Sequence, residues 1–384
     1  MSPEPKIRLD KVAKVYPGSK VPAVEELTLD VHEGEILVLV GPSGCGKSTT
    51  LRLINRMIEP SSGRILLDGE DVTKVNPDKL RRRIGYVIQQ IGLFPHQTIS
   101  QNIATVPKML GWEKDKTEKR SEELLGMVGL DPDQYRDRYP KELSGGQAQR
   151  VGVARALGAD PDIMLMDEPF GAIDPITRER LQNEFLRLQG ELRKTIVFVT
   201  HDIDEANKMG DKIAILGERS TIRQIDTPER ILAYPVDEFV DDFIGNGSTI
   251  KGLNFLKVSS LTFTGYPTLG PGESDEAGRA RLSERGREWL VQVDEGRKPI
   301  RWVHVDDLGS GGEDRGEPVE DLLHSQDTLF HALELMVQSA SGTTCVVDDQ
   351  GAFQGVVTMA DLAKAIRRAQ YEARLHYEEL EAMA

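Results

Sequence analysis

The chain has 384 residues, of which 39% are apolar and 29% charged, and its formal net charge is −15. This length predicts more than one hydrophobic core. A membrane-spanning helix needs a run of about 18 apolar residues, and no apolar run in the sequence is that long. The acidic balance disfavours a nucleic-acid partner and docking on anionic lipid, and the two cysteines are too few for a disulfide framework.

Residues 1–35 alternate apolar and polar side chains, which predicts short antiparallel strands. Later runs that are almost continuously apolar are typical of strands buried on both faces. These runs are Ile36–Val40, Ile163–Met166, Ile196–Val199 and Ile213–Leu216. Helical patterns lie between them, so the sequence predicts an α/β fold with a parallel sheet flanked by helices. The polar, proline-broken residues 90–158 predict an inserted helical subdomain.

The pattern changes near residue 245, and a second domain is predicted over residues 246–384. It contains two weakly similar units in which strand segments lead to Asp-Leu, after which a helix is expected. The stretches Thr264–Arg279 and Gly309–Pro318 are rich in Gly, Ser and Glu, so both are predicted to be loops.

A glycine-rich segment, GPSGCGKS, follows the strand Ile36–Val40 directly and precedes a predicted helix. Its glycines let successive backbone N–H groups face a polyanion, and the following helix adds its positive end. Lys47 can neutralise phosphates and the Ser48 hydroxyl can ligate Mg²⁺. The alternative is a simple glycine-rich turn. The predicted nucleotide-binding residues are Gly41, Pro42, Ser43, Gly44, Cys45, Gly46, Lys47, Ser48 and Thr49.

Two acids end the apolar strand Ile163–Met166, at the carboxyl edge where ligands bind in open α/β sheets. Asp167 can hold the hydration shell of a metal ion, and Glu168 can orient or deprotonate an attacking water. A strand that ends in Asp-Glu is common by itself. The phosphate-type loop upstream is what favours the catalytic interpretation.

The segment Leu143–Gln147 reads LSGGQ and precedes a helix predicted over Ala148–Leu157. It places a second cluster of N–H groups and a hydroxyl at a helix start. Because the chain already has one phosphate-type loop, a second anion cradle suggests use by another molecule. An ordinary helix cap is the alternative.

In this order the motifs resemble the nucleotide-binding domain of ABC ATPases over residues 6 to about 245. The motifs are the phosphate loop, Gln89, Leu143–Gln147, Asp167-Glu168, Ala172–Asp174 and His201. The resemblance implies a P-loop NTPase domain over residues 1–245 with an antiparallel β subdomain and a helical signature subdomain at about 90–158. It also implies a homodimer that pairs head to tail, with each ATP held between one phosphate loop and the partner's signature motif.

The resemblance assigns further roles. Tyr16 would stack on adenine, with a packed strand tyrosine as the alternative, and Gln90 leaves a one-residue ambiguity for Gln89. Catalytic roles are implied for Glu168, His201, Gln89 and Lys47. Mg²⁺ would be held by Ser48, Gln89 and Asp167. Residues acting in trans would be Leu143, Ser144, Gly145, Gly146, Gln147 and Asp174.

Two segments, Val87–His96 and Asp167–Arg178, resemble those of quaternary-amine importers, and so does the appended C-terminal domain. The resemblance implies an ABC-type ATPase that powers uptake of glycine betaine, choline, carnitine or proline betaine. Permease subunits would contact Phe94–Met109, a substrate-binding protein would act indirectly, and the chain would sit at the cytoplasmic face of the membrane. Alternatives are an importer for another small solute, a soluble ABC ATPase, or a nucleotide-sensing module with a vestigial ATPase.

The segments Thr344–Asp348 and Gly355–Leu362 resemble a CBS repeat, which implies a tandem CBS regulatory domain of α+β type over residues 246–384. Thr358 and Asp361 stand where that family holds the ribose and phosphate of an adenine nucleotide such as cyclic di-AMP. The earlier unit is degenerate, because His304 replaces the Thr. The implied signals are an adenine nucleotide or ionic strength, and a ligand-free packing and dimerisation module is the alternative.

Overall fold

The structure is a computed structural model that describes residues 4–88, 92–171, 173–263, 265–309 and 315–383. The chain divides into two compact units. The first comprises residues 1–231 and 236–243, and the second comprises residues 232–235 and 244–384.

The strands of the first unit form two sheets. They are β1 (Ile7–Lys14), β2 (Val24–Val31), β3 (Ile36–Val40), β4 (Ser62–Leu67), β5 (Glu70–Asp71), β6 (Ile84–Val87), β7 (Ile163–Asp167), β8 (Thr195–Thr200), β9 (Lys212–Leu216) and β10 (Ile222–Asp226). The helices up to residue 244 are α1 (Lys47–Ile54), α2 (Pro77–Arg81), α3 (Ile99–Ile103), α4 (Thr105–Met109), α5 (Lys114–Met127), α6 (Pro132–Tyr135), α7 (Gly145–Leu157), α8 (Pro175–Leu192), α9 (Ile203–Met209), α10 (Pro228–Ala233) and α11 (Glu238–Ile244).

The main sheet has the strand order β10-β9-β3-β8-β7-β6. Its strands are parallel from β9 to β6, and only β10 runs antiparallel to its neighbour. Every residue of β3, β7 and β8 is buried, as expected for strands covered on both faces. The predicted parallel sheet is therefore confirmed.

Phe198 lies at the centre of this sheet and is fully buried. Its ring packs against Phe170, with the ring centroids 6.0 Å apart. Truncation of such a phenylalanine to alanine typically costs about 3–5 kcal/mol of stability. Phe170 follows Glu168 by two residues, so the same packing anchors the segment that carries the acids.

A second sheet has the order β2-β1-β4-β5 and is antiparallel. In β1, Ile7, Leu9 and Val12 face the core while exposed residues alternate with them. This matches the antiparallel strands predicted near the start of the chain. Helices α3 to α7 lie in the chain between β6 and β7, which agrees with the predicted helical insertion.

The second unit repeats one pattern of strand, helix and antiparallel strand pair. Its strands are β11 (Thr268–Leu269), β12 (Trp289–Val293), β13 (Pro299–His304), β14 (Glu317–Pro318), β15 (Leu322–Leu323), β16 (Thr344–Val347) and β17 (Phe353–Val357). Its helices are α12 (Ser248–Gly252), α13 (Asp275–Arg285), α14 (Leu329–Gln338) and α15 (Met359–Met383). In each repeat a parallel pair, β11 with β12 or β15 with β16, is joined through a helix, and an antiparallel strand follows.

One prediction for this region was wrong. The stretch Thr264–Arg279, predicted to be a loop, includes β11 and the first turns of α13. Ser274 caps that helix by accepting a hydrogen bond from the Ala277 N–H, and acidic residues follow in its first turn. A helix was also expected after the Asp-Leu of the first repeat, at Asp307-Leu308, and most of the stretch that follows, residues 310–314, lies outside the described residues.

Candidate nucleotide site

The candidate site lies at the carboxyl edge of the main sheet, where three neighbouring strands end. Val40 at the end of β3 pairs with Thr200 of β8, and Val199 of β8 pairs with Asp167 at the end of β7. The segments that follow these strands therefore meet at one edge, as the sequence predicted.

Glycines at positions 41 and 46 shape the loop between β3 and α1. A Cβ on Gly41 would lie 2.3 Å from the Leu216 carbonyl oxygen, and one on Gly46 would lie 2.1 Å from Ser220 Oγ. Gly46 also has a φ of 114°, which favours glycine. No side chain fits at either position, so both glycines are required for the loop backbone to pack against Leu216 and Ser220.

Lys47 is 7% exposed at the start of α1. Its Nζ donates to the carbonyl oxygens of Gly41, at 2.7 Å, and Pro42, at 2.9 Å. Both acceptors are neutral, and the charge of the Asp167 carboxylate also acts on Lys47. A buried cation is costly without an anion, and a polyphosphate in this loop would supply one.

The Ser48 hydroxyl donates to Asp167 Oδ1 at 2.9 Å. Burial raises the pKa of the Asp167 carboxyl, while the hydrogen bond from Ser48 and the charges of Arg52 and Lys47 act in the opposite direction. A hydroxyl and a carboxylate side by side are hard oxygen ligands of the kind that Mg²⁺ prefers. The two residues therefore fit the predicted metal site.

Glu168 and His201 come from adjacent strand ends and are in contact, with His201 Nδ1 3.1 Å from Glu168 Oε1. The Glu168 N–H donates to the Val199 carbonyl at 2.9 Å, which ties the end of β7 to β8. Glu168 has a φ of 47°, a left-handed conformation that costs a non-glycine residue roughly 1 kcal/mol. The strained backbone and the histidine together orient the carboxylate at the sheet edge.

The segment Leu143–Gln147 begins α7 with a capping box. Ser144 Oγ accepts from the Gln147 N–H at 3.3 Å, and Gln147 Oε1 accepts from the Ser144 N–H at 3.0 Å. Ser144 and Gly145 are exposed to solvent. The segment therefore caps its own helix and is also exposed to solvent. Its predicted contact with ATP bound to a second chain stays a prediction.

Other predicted site residues contact their own surroundings. Tyr16 is 36% exposed in the loop after β1, and Lys14 Nζ lies 5.4 Å from its ring centroid. Asp174 caps α8 by accepting from the Thr177 N–H, and this backbone hydrogen bond lowers the pKa of Asp174. Gln89, its neighbour Gln90 and Ala172 lie outside the described residues.

The sequence analysis missed Ser220, which is fully buried. Its N–H and its hydroxyl both donate to the carbonyl oxygen of Cys45, at 2.6 and 3.1 Å. Ser220 therefore clamps the phosphate-type loop from a position that belongs to no motif. No local pattern could have revealed it, since the two residues are 175 positions apart.

In the second unit, Thr358 and Asp361 cap the start of α15. Thr358 donates to Asp361 Oδ2 through its hydroxyl, at 2.6 Å, and its N–H, at 3.0 Å. Asp361 lines a cleft of about 300 Å³ together with Lys364 and Arg368. In the first repeat of this second unit, His304 Nδ1 accepts from the Asp306 N–H, at 3.3 Å.

Comparison with known proteins identifies the family. The ABC transporter family matches residues 24–171, and the CBS domain matches residues 321–368. The chain is 44% identical over 372 residues to the glycine betaine/carnitine/choline transport ATP-binding protein OpuCA of Bacillus subtilis (strain 168), across 94% of this chain and 96% of that protein. This chain belongs to the family of ABC transporter ATP-binding proteins. Its resemblance to the quaternary-amine branch of that family is confirmed.

Further similarities extend this assignment. The osmoprotectant import ATP-binding protein OsmV of Salmonella typhimurium is 41% identical, across 97% of this chain and 99% of that protein. A solved dimeric ATP-binding cassette, in a post-hydrolysis state with ADP and Pi, is 34% identical with a TM-score of 0.53 and covers 58% of this chain and 98% of its own length. The predicted P-loop ABC ATPase fold is thus confirmed. Within the described residues, no helix is long and apolar enough to cross a membrane.

Proposed function

We propose that this ABC ATPase hydrolyses ATP between two copies of the chain and thereby powers the import of a quaternary ammonium osmoprotectant. The observation that carries the proposal is the assembly at one sheet edge of the Ser48–Asp167 pair and the Glu168–His201 pair. Together with Lys47 these groups provide the charge, the metal ligands and the base that phosphoryl transfer to water requires.

Each residue of the cis half-site has a separate task. Lys47 exchanges its carbonyl partners for the β- and γ-phosphates of ATP, and the loop N–H groups bind the remaining phosphate oxygens. Glu168 orients and deprotonates the attacking water, and His201 holds Glu168 and contacts the γ-phosphate. Ser48, Asp167 and Gln89 are the proposed ligands of Mg²⁺, which when bound would neutralise part of the phosphate charge.

The trans half-site is proposed to come from a second copy. Support comes from the exposure of Ser144 and Gly145 at the amino end of α7, a 13-residue helix whose positive end suits a phosphate. The solved cassette that resembles this chain is dimeric. Asp174, exposed at the start of α8, would also contact the second copy.

A permease contact is proposed for Phe94–Met109. Phe94 is 39% exposed and Met109 is 55% exposed, so both ends of the segment present apolar surface. Binding there would place the chain at the cytoplasmic face of the membrane. The expected result of charge insertion at Met109 (Met109→Glu) is loss of co-purification with the permease while ATP binding is retained. Unchanged co-purification would contradict this contact.

The cargo is proposed from the relatives, whose names specify glycine betaine, carnitine, choline or osmoprotectant transport. The test is uptake by proteoliposomes that contain this chain, its permease and its substrate-binding protein. Glycine betaine, choline, carnitine and proline betaine are compared with maltose as a control. ATP-dependent uptake of at least one quaternary amine and not of maltose is expected, and uptake of none would contradict the cargo.

The CBS unit is proposed to bind an adenine nucleotide such as cyclic di-AMP beside Thr358 and Asp361. Lys364 and Arg368 line the same cleft and provide cations for its phosphates. In the reconstituted complex, cyclic di-AMP is expected to lower ATPase activity. Lys364→Ala should weaken this inhibition, whereas Arg374→Ala on the same helix, whose side chain pairs with Glu378, should not.

A result in which cyclic di-AMP neither binds nor inhibits, while added salt still changes the ATPase rate, would favour an ionic-strength sensor. Equal rates at all salt and nucleotide concentrations would favour a packing and dimerisation module.

A further inference from the structure

Helix α8, which Asp174 caps, contacts the loop that carries His201 and the following helix α9 through two of its side chains, one turn apart. Arg178 Nη2 donates to the Ile173 carbonyl at 3.0 Å, and its Nη1 lies 3.9 Å from Asp202 Oδ2. Gln182 Nε2 donates to Glu205 Oε1 at 3.1 Å. One face of α8 therefore contacts both the segment before it and the loop after β8.

Asp202 holds that loop in place. Its Oδ1 accepts from the N–H groups of Asp204, at 2.9 Å, and Glu205, at 3.3 Å, which caps α9. Its own N–H donates to Thr200 Oγ1 at 3.1 Å. Because His201 lies between Thr200 and Asp202, its backbone position follows from these bonds and from the contact of Asp202 with Arg178.

The chemistry of arginine suits this bridging position. A guanidinium is planar and presents its N–H groups in a fixed fork, so it can hold a carbonyl and a carboxylate at the same time. The Arg178 side chain is 31% exposed, and its Nε is buried without a hydrogen-bond partner among the described residues. A lysine ammonium on a flexible chain would hold one of these partners with less directional control.

We propose that Arg178 is a positioning residue, which couples the Ile173–Asp174 segment to His201 and through it to Glu168. The inference rests on the proposed function, in which Asp174 contacts a second copy of the chain. When that contact moves Ile173, the Arg178 guanidinium transmits the movement to Asp202. The loop that contains Asp202 then positions His201 and Glu168 against the γ-phosphate. Hydrolysis is then tied to closure of the pair.

The test uses the full chain in complex with its permease. Arg178→Ala is expected to lower kcat roughly 10- to 100-fold, the size of loss that follows a small misplacement of catalytic groups, and to leave the KM for ATP within about twofold. Arg187→Ala is the matched control, because Arg187 lies on α8 and pairs only with the helix residues Glu184 and Glu191 in its described ion pairs. This control should keep the wild-type rate.

A second measurement separates positioning from damage to the fold. In a Glu168→Gln background, ATP-driven pairing of the Arg178→Ala chain should equal that of the parent, since the phosphate loop and signature motif are intact. Arg178→Lys should recover part of the lost rate. The kcat of the double variant Arg178→Ala/Asp202→Asn should lie within about twofold of the kcat of the slower single variant. The losses of two residues that act through one contact do not add.

A rate for Arg178→Ala equal to that of Arg187→Ala would overturn the inference. The inference would also be overturned if the rate loss of the double variant equalled the product of the two single losses. Loss of ATP-driven pairing by Arg178→Ala, together with its loss of rate, would overturn it as well. Failure of the wild-type chain to pair on ATP would instead contradict the proposed function, so the two failures are distinguishable.

Discussion

At the scale of single residues, the site depends on charges held close together in a partly buried edge. Lys47 is buried against neutral carbonyls, and Asp167 is buried beside Glu168. Burial raises the pKa of Asp167 because desolvation penalises the charged form. Such an arrangement gains most from a ligand that brings both negative phosphates and a cation.

Glu168→Gln is expected to slow ATP hydrolysis at least roughly a hundredfold, the usual contribution of a general base, and to leave ATP binding intact. The glutamine keeps the size of the side chain but cannot accept the proton. Steady-state ATPase assays and nucleotide binding measure the two effects separately. Glu179→Gln, on the exposed side of α8, is the control. A rate within a few-fold of wild type would remove Glu168 from the chemistry.

Glu205 predicts a pH effect on stability. Burial raises its pKa above the ordinary value of 4.5, with the charge of Asp202 acting in the same direction and hydrogen bonds from Thr200 and Gln182 and the charge of Arg178 acting against it. The unfolded chain ionises first as pH rises, so stability falls between 4.5 and the raised pKa. The free energy of unfolding of wild type relative to Glu205→Gln should therefore decrease across this window and then level off.

Urea unfolding of the wild-type and Glu205→Gln chains, at several pH values from 4 upward, measures this difference. A difference that stays constant with pH, or increases as pH rises, would contradict the prediction.

At the scale of elements, the loop between β3 and α1 is held by distant backbone and by Ser220 as well as by its own glycines. A Cβ on Gly46 would meet Ser220 Oγ at 2.1 Å and the Ala23 carbonyl at 2.6 Å. Gly18 has a similar positive φ of 85° but nothing within 4 Å of its Cβ position. An alanine at position 18 would therefore add backbone strain alone, whereas an alanine at position 46 would add both backbone strain and steric overlap.

Gly18→Ala is expected to cost about 1–2 kcal/mol of stability from its left-handed backbone alone, and to change ATP affinity less than Gly46→Ala does. Gly46→Ala should cost more and should also weaken ATP binding, because the loop must move to make room. The combination Gly46→Ala/Ser220→Ala should not restore binding, since the Ala23 carbonyl is still too close. Chemical unfolding and nucleotide titration measure both effects, and equal behaviour of the two single variants would contradict this account.

At the scale of the whole molecule, each proposed ATP site is shared between two chains. In this proposed dimer, Lys47 and Ser144 of one chain contribute to different ATP sites. The proposed route to the membrane is the permease contact at Phe94–Met109, since a formal net charge of −15 disfavours docking on anionic lipid. The shared sites can be tested by mixing two defective chains.

In a Glu168→Gln background, neither the Lys47→Ala chain nor the Ser144→Arg chain should pair stably on ATP. A mixture should form pairs, since one intact phosphate loop then faces one intact signature motif. Size-exclusion chromatography and nucleotide counting are expected to show about one ATP per mixed pair, which follows from one complete site of two. Pairing by either variant alone, or no pairing in the mixture, would contradict the head-to-tail arrangement.

The sequence by itself determined the features that depend on neighbouring residues. Local patterns in the sequence predicted the phosphate-type loop, the acids after β7, the signature segment and the parallel strands. These features depend on glycine spacing, apolar runs and capping residues, which act within a few positions of the chain. The helix α13 was missed although Ser274 and the acids after it are capping signals, because the composition of the whole stretch outweighed them.

Tertiary structure alone decided which distant residues meet. The strand order places β8 between β3 and β7, and this brings His201 to Glu168 and Ser48 to Asp167. The clamp of Ser220 on Cys45 and the bridge from Arg178 to Asp202 follow from the same packing. Their formation depends on the free energy of burying the whole sheet, which no short segment of the chain encodes.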